Sequence, residues 1–116
     1  LDVDALIKKV EKGRLITTDQ IRKLLAEDAE ADYACPLATG IFIRIAAEAA
    51  EEDIVNAQEP SPYWRVVKSD GSLNEKFPGG VQWQAKRLIE EGQTIEPGKG
   101  KKPPKVKDFE KVIQEI

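Results

Sequence analysis

The side chains able to do chemistry gather around Tyr63-Trp64-Arg65-Val66-Val67 and, further along, Leu88-Ile89-Glu90-Glu91-Gly92. Tyr63 is a phenol, with an ordinary pKa of about 10, so it is protonated at neutral pH and a poor nucleophile. Cys35, in Ala34-Cys35-Pro36, is the single thiol, and a thiol needs a neighbouring base or cation to become a reactive thiolate. The chain contains no histidine, which excludes Cys-His and Ser-His-Asp catalysis and histidine-bound metals. Cys35 is therefore expected to be buried or inert, and no cofactor or metal is implied. What remains are groups that bind. Tyr63, Trp64 and Phe77 offer flat aromatic faces, and Lys99, Lys101, Lys102, Lys105 and Lys107 form a basic run without an acid. Aromatic faces stack on bases, each contributing roughly 1 to 3 kcal/mol, and lysines neutralise phosphates.

A chain of 116 residues is expected to form one domain with a single modest core. Its 41% apolar and 34% charged residues are soluble globular values. No apolar run reaches the roughly 18 residues of a membrane span, and Leu1-Asp2-Val3-Asp4 lacks the basic start of a signal peptide. One cysteine cannot pair internally, which fits a reducing compartment. The expectation is an intracellular, cytoplasmic monomer with no membrane partner. Charge is unevenly spread: between Glu27 and Glu59 nine acids face one base, Arg44. Such a segment repels phosphates unless its acids point away from them.

Several elements must position these groups. Val3, Leu6, Ile7 and Val10 follow a helical stripe, with Gly13 placed as a C-terminal cap. Thr17 followed by Gln20 has the form of a capping box and starts a second helix with Ile21, Leu24 and Leu25 inward. A connection containing Pro36 leads to a third helix from near Thr39, with Ile41, Ile45, Ala49 and Phe42 as its expected buried stripe. Tyr63 to Val67 is rich in β-formers, and Ser69-Asp70-Gly71-Ser72 is a turn signal, so a short hairpin is expected there. After Phe77-Pro78-Gly79-Gly80, the residues Val81, Ala85, Leu88 and Ile89 mark a helix ending at Gly92. Lysines and Pro103-Pro104 make about 97–107 an exposed basic arm, and Phe109, Val112, Ile113 and Ile116 give a short C-terminal helix.

Helices, a short hairpin and a further helix outline a winged-helix domain, a helix-turn-helix variant, mostly α. Within that outline, Pro62-Tyr63-Trp64-Arg65-Val66-Val67, the Ser69-to-Ser72 turn, Gly79-Gly80 and Leu88-Ile89-Glu90-Glu91-Gly92 resemble the C-terminal domain of the alkylguanine-DNA alkyltransferase family. Lys8 to Gly13 followed by Thr17-Thr18-Asp19-Gln20-Ile21 resembles that family's first helix and its continuation, so the resemblance spans about residues 3 to 95. It implies that Tyr63 stands at the alkyl-accepting cysteine and Trp64 at the histidine base, while Glu91 keeps the glutamate position. Lacking the acceptor pair, the chain looks closer to the alkyltransferase-like proteins, which bind alkylated DNA without repairing it. The same resemblance places Arg44 at the arginine that fills the gap left by a flipped guanine, Thr18 at a phosphate-rotating tyrosine, and Phe77 at a pocket-lining tyrosine. Arg65 is expected to be structural.

Two functions follow as expectations. The first is non-enzymatic binding of duplex DNA carrying alkylated guanine, with Thr18, Arg44, Lys99, Lys101 and Lys102 on the DNA and Tyr63, Trp64 and Phe77 around the extruded base. The second is a protein-interaction module that keeps the fold but has lost DNA binding; a repair protein is a conceivable partner in either case. For Arg44 the alternative is a solvated ion pair with Glu48, for Thr18 a helix-capping role, and for the aromatics core filling. A methyl transfer to Tyr63 or Cys35 would make the chain an enzyme.

Overall fold

In a computed structural model, residues 3–28, 36–98 and 100–114 are described, with only the backbone at 36–38. Cys35 and Lys99 lie outside the described residues. Helix α1, Val3–Lys8, buries Val3, Leu6 and Ile7. It stops short of Gly13, because Lys9 and Val10 already turn back onto Leu6 and Ile7 through their amides. Strand β1, Ile16–Thr17, leads directly into α2, Thr18–Asp28. The capping box is present: the Thr17 amide donates to Gln20 Oε1 at 2.8 Å, and the Gln20 amide to Thr17 Oγ1 at 3.2 Å.

Helix α3, Pro36–Val55, packs against α1 and α2. Its buried stripe is Ile43, Ala46, Ala47 and Ala50, while Ile41, Phe42 and Ile45 are 44%, 50% and 56% exposed. The expected stripe is therefore the wrong face. A helix that is apolar on most sides offers two stripes of equal periodicity, and the alanine face wins because small side chains admit the closest approach of neighbouring elements.

The hairpin expected at 63–72 is also corrected. Tyr63–Arg65 form a 3-10 turn, and β2, Val66–Val67, pairs in parallel with β1, Ile16 opposite Val66. Both valines are fully buried, so the β-forming residues find a distant partner instead of a local one. The turn itself is real: the Lys68 amide donates to the Ser72 carbonyl at 2.9 Å. Gly71 has φ +84°, and a Cβ there would run into the Phe109 ring, so glycine is required on both counts.

Helix α4, Gly80–Glu90, ends through Gly92, with the Gln93 amide reaching the Leu88 carbonyl at 3.0 Å. Gln84 and Leu88 are buried, whereas Ile89 is 57% exposed. The basic arm is the loop of an antiparallel hairpin, β3 Ile95–Glu96 with β4 Lys105–Val106. That hairpin joins the 68–72 turn through the Ser72–Lys105 bridge. The C-terminal helix is reduced to a 3-10 turn, Phe109–Lys111, after which Ile113 bridges Leu15. Helices and short strands share one core, centred on Ile7, Leu15, Ile16, Ile21, Ile43, Tyr63, Val66, Val67, Leu73 and Leu88.

Candidate nucleic-acid interface

Tyr63, Trp64 and Phe77 come together. Tyr63 meets Trp64 edge to face at 5.4 Å and Phe77 at 5.2 Å between ring centres, the preferred geometry for aromatic pairs. All three are buried, and Tyr63 has no exposed surface. Its hydroxyl donates a short hydrogen bond to Glu51 Oε1, which also accepts from Trp83 Nε1 at 2.9 Å. Burial first, then the hydrogen bond and negative charge of Glu51, push the Tyr63 phenol well above its ordinary value. It is neutral at any physiological pH, which disfavours nucleophilic attack.

Trp64 is anchored differently. Its Nε1 donates to Glu91 Oε1 at 3.1 Å, and Arg65 Nε donates to the two Glu91 oxygens at 2.9 and 3.1 Å. A further short bond runs from the second Arg65 terminal nitrogen to Glu91 Oε2, and Nη1 reaches the Val10 carbonyl at 2.6 Å. Glu91 thus holds an arginine and a tryptophan at once. Arg65 is structural, tying the 63–67 segment to Val10, just past α1, and to Glu91, just past α4. Gln84 holds the same segment by donating to the Trp64 and Val66 carbonyls at 3.1 and 2.9 Å. Arg87 lies between the two tryptophans, its guanidinium carbon 4.7 Å from the Trp64 ring and 4.6 Å from Trp83. Trp64 also walls a cleft of about 430 Å³ with Lys8, Glu59, Pro60, Pro62 and Arg65.

The other predicted residues occupy the surface. Thr18 is the first residue of α2 and lines a cleft of about 180 Å³ with Asp19, Arg22, Thr39, Gly40, Lys68 and Asn74. Arg22 pairs with Asp19 at 2.7 Å. Arg44 stands one turn beyond Gly40, exposed, and only loosely paired with Glu48 at 3.8 Å. Lys101 and Lys102 are exposed in the β3–β4 loop. Sequence reasoning missed Glu51, Trp83, Arg87 and Gln84 around the aromatic cluster, and Arg22 and Lys68 in the cleft. Glu51 reads only as one more acid on α3, and Gln84 as a polar residue on a helix surface. Trp83 carried the one usable signal, as a tryptophan on the turn that follows Gly79-Gly80.

Among the described residues no group of three or more acids, cysteines or histidines could hold a metal ion, and no helix is long and apolar enough to cross a membrane. No protein-family model matches the chain, and no curated protein sequence does. Among solved structures it is similar to S. pombe Atl1, an alkyltransferase-like protein crystallised in complex with damaged DNA containing O6-carboxymethylguanine. The TM-score is 0.63, with 18% identity over 99% of this chain and 93% of that one. In fold, then, this chain resembles an alkyltransferase-like protein.

Proposed function

We propose that the protein binds duplex DNA carrying an O6-alkylated guanine, without chemical turnover, by a winged-helix, base-flipping mode. The observation that carries this reading is the cleft at the first turns of α2 and α3, where Thr18, Arg22 and Lys68 meet. The positive end of the α2 dipole, the Thr18 hydroxyl and Lys68 favour a phosphate there, with Arg22 shared between it and Asp19 of the same lining. Arg44, exposed on the α3 flank that Gly40 shares, would enter the space of an extruded base. A planar cation there offsets the few kcal/mol of unstacking that flipping costs. The β3–β4 hairpin serves as the wing and carries Lys101 and Lys102 towards the backbone.

In the free protein the aromatic cluster is closed by the Tyr63–Glu51 bond, so receiving a base requires the Tyr63 ring or Trp83 to move. The buried, neutral phenol supports binding over alkyl transfer. Anisotropy titrations of the protein into short duplexes with and without O6-carboxymethylguanine test the reading. Tighter binding to the lesion duplex, with an unchanged intact mass afterwards, is the expected result. Equal affinity for both, or a mass gain matching the alkyl group, would refute it.

A further inference from the structure

On the base-flipping reading, on which this assignment rests, the extruded base comes to the aromatic cluster that Glu51 closes. Glu51 lies seven residues after Arg44, so with about 3.6 residues per turn the two share a flank of α3, about 10 Å apart along its axis. Its Oε1 accepts twice, from the Tyr63 hydroxyl and from Trp83 Nε1 at 2.9 Å. The two donors are not equally fixed. Tyr63 has no exposed surface and meets the Trp64 and Phe77 rings edge to face. Trp83 is partly exposed on the first turn of α4, and Glu51 also lines an open cleft of about 270 Å³ with Glu52, Val55 and Asn56. Trp83 is therefore the donor that can leave, and its departure frees one bond of the carboxylate.

Hydrogen bonding selects what takes that bond. An ionised carboxylate only accepts, so the group that replaces the indole must present an N–H or O–H. Net charge does not make the choice, because the Arg87 guanidinium carbon is 4.6 Å and Lys86 Nζ 5.3 Å from the Trp83 ring, and the cluster holds cations beside its carboxylate. An O6-alkylated guanine has lost its N1–H but keeps its 2-amino group, whereas an O4-alkylated thymine has no N–H left. Unmodified guanine carries the same amine, but its intact pairing makes extrusion more costly. We propose that Glu51 is a specificity-determining residue that accepts a hydrogen bond from the 2-amino group of the extruded guanine, and that the Trp83 indole occupies this acceptor in the free protein. O6-alkylguanines are then ligands and O4-alkylthymines are not.

The test uses the full chain and three duplexes that differ at one base: guanine, O6-methylguanine, and O6-methylhypoxanthine, which keeps the ring and the methyl group but lacks the amine. Wild type should bind the O6-methylguanine duplex at least about tenfold more tightly than the O6-methylhypoxanthine duplex, the value of a hydrogen bond to a charged acceptor. Glu51→Gln, whose amide keeps an acceptor for Tyr63, should cut this ratio about fivefold, because a charge-assisted bond becomes a neutral one. Trp83→Phe keeps an aromatic ring but removes the competing N–H, so it should bind both modified duplexes more tightly, by a similar factor. In wild type the indole N–H signal of Trp83 should shift in NMR spectra as the O6-methylguanine duplex is added. A ratio near one, with both modified duplexes still preferred over guanine, would overturn the proposal and leave lesion binding standing. So would a ratio that survives Glu51→Gln, weaker binding by Trp83→Phe, or an unmoved Trp83 signal. Equal affinity for all three duplexes would refute lesion binding itself, and this proposal with it.

Discussion

Removing Glu91 should destabilise the protein severely, because one carboxylate satisfies two neighbours at once. Arg65 and Glu91 side chains are 13% and 10% exposed, and Glu91 accepts from Arg65 Nε, an Arg65 terminal nitrogen and Trp64 Nε1. Deleting one partner of a buried pair costs about 3–5 kcal/mol, mostly from the charge left behind. Here the guanidinium keeps its bond to the Val10 carbonyl, so Glu91→Ala should fall at the lower end, about 3 kcal/mol. With a urea slope of about 1.5 kcal/mol per molar, the unfolding midpoint should drop by about 2 M. Glu91→Gln, which retains an acceptor for Trp64, should lose less. The double variant Arg65→Met, Glu91→Leu should recover more than half of the loss, because no uncompensated charge remains. A cost for Glu91→Ala below about 1 kcal/mol, or a double variant no better than the single, would refute the structural role assigned to this carboxylate.

Other outcomes can be read from the same structure. Arg44→Ala should leave stability within about 0.5 kcal/mol of wild type yet weaken lesion-duplex binding more than binding to the same modified base in single strands, where no stack is broken; parallel titrations compare the two. Lys101→Gln with Lys102→Gln should flatten the salt dependence of duplex binding by roughly 0.9 for each phosphate no longer neutralised, measured as the slope of log affinity against log salt. Burial, reinforced by Glu51, raises the Tyr63 phenol. The folded state therefore holds that proton more tightly than the unfolded chain, and the resulting stability is intact below pH of about 10 and declines above it. Denaturant midpoints for wild type and Tyr63→Phe across alkaline pH should show a steeper decline in wild type.

The sequence by itself determined the parts whose cause is local. The Thr17–Gln20 capping box, the glycine turn at 68–72, the helix from Gly80 closed by Gly92, and the absence of histidine follow from residues a few positions apart. The motifs around Tyr63, Gly79-Gly80 and Glu91 indicated the alkyltransferase-like fold that the similar solved structure displays. Only the tertiary structure decided questions in which several parts of the chain compete for the same partner. Which apolar face of α3 is buried depends on what α1, α2 and the 63–65 turn present to it, since Ile43-Ala46-Ala47-Ala50 and Ile41-Ile45-Ala49 are both apolar stripes at helical spacing. Val66-Val67 pairs with Ile16-Thr17 across almost fifty residues because burial on both faces outweighs a local hairpin, a contribution no window of sequence contains. Glu51 likewise reads as a surface acid until Tyr63 and Trp83 each bring a donor to it. A buried polar group is defined by the partners that fold around it, and those partners come from α3, the 63–65 turn and α4 together.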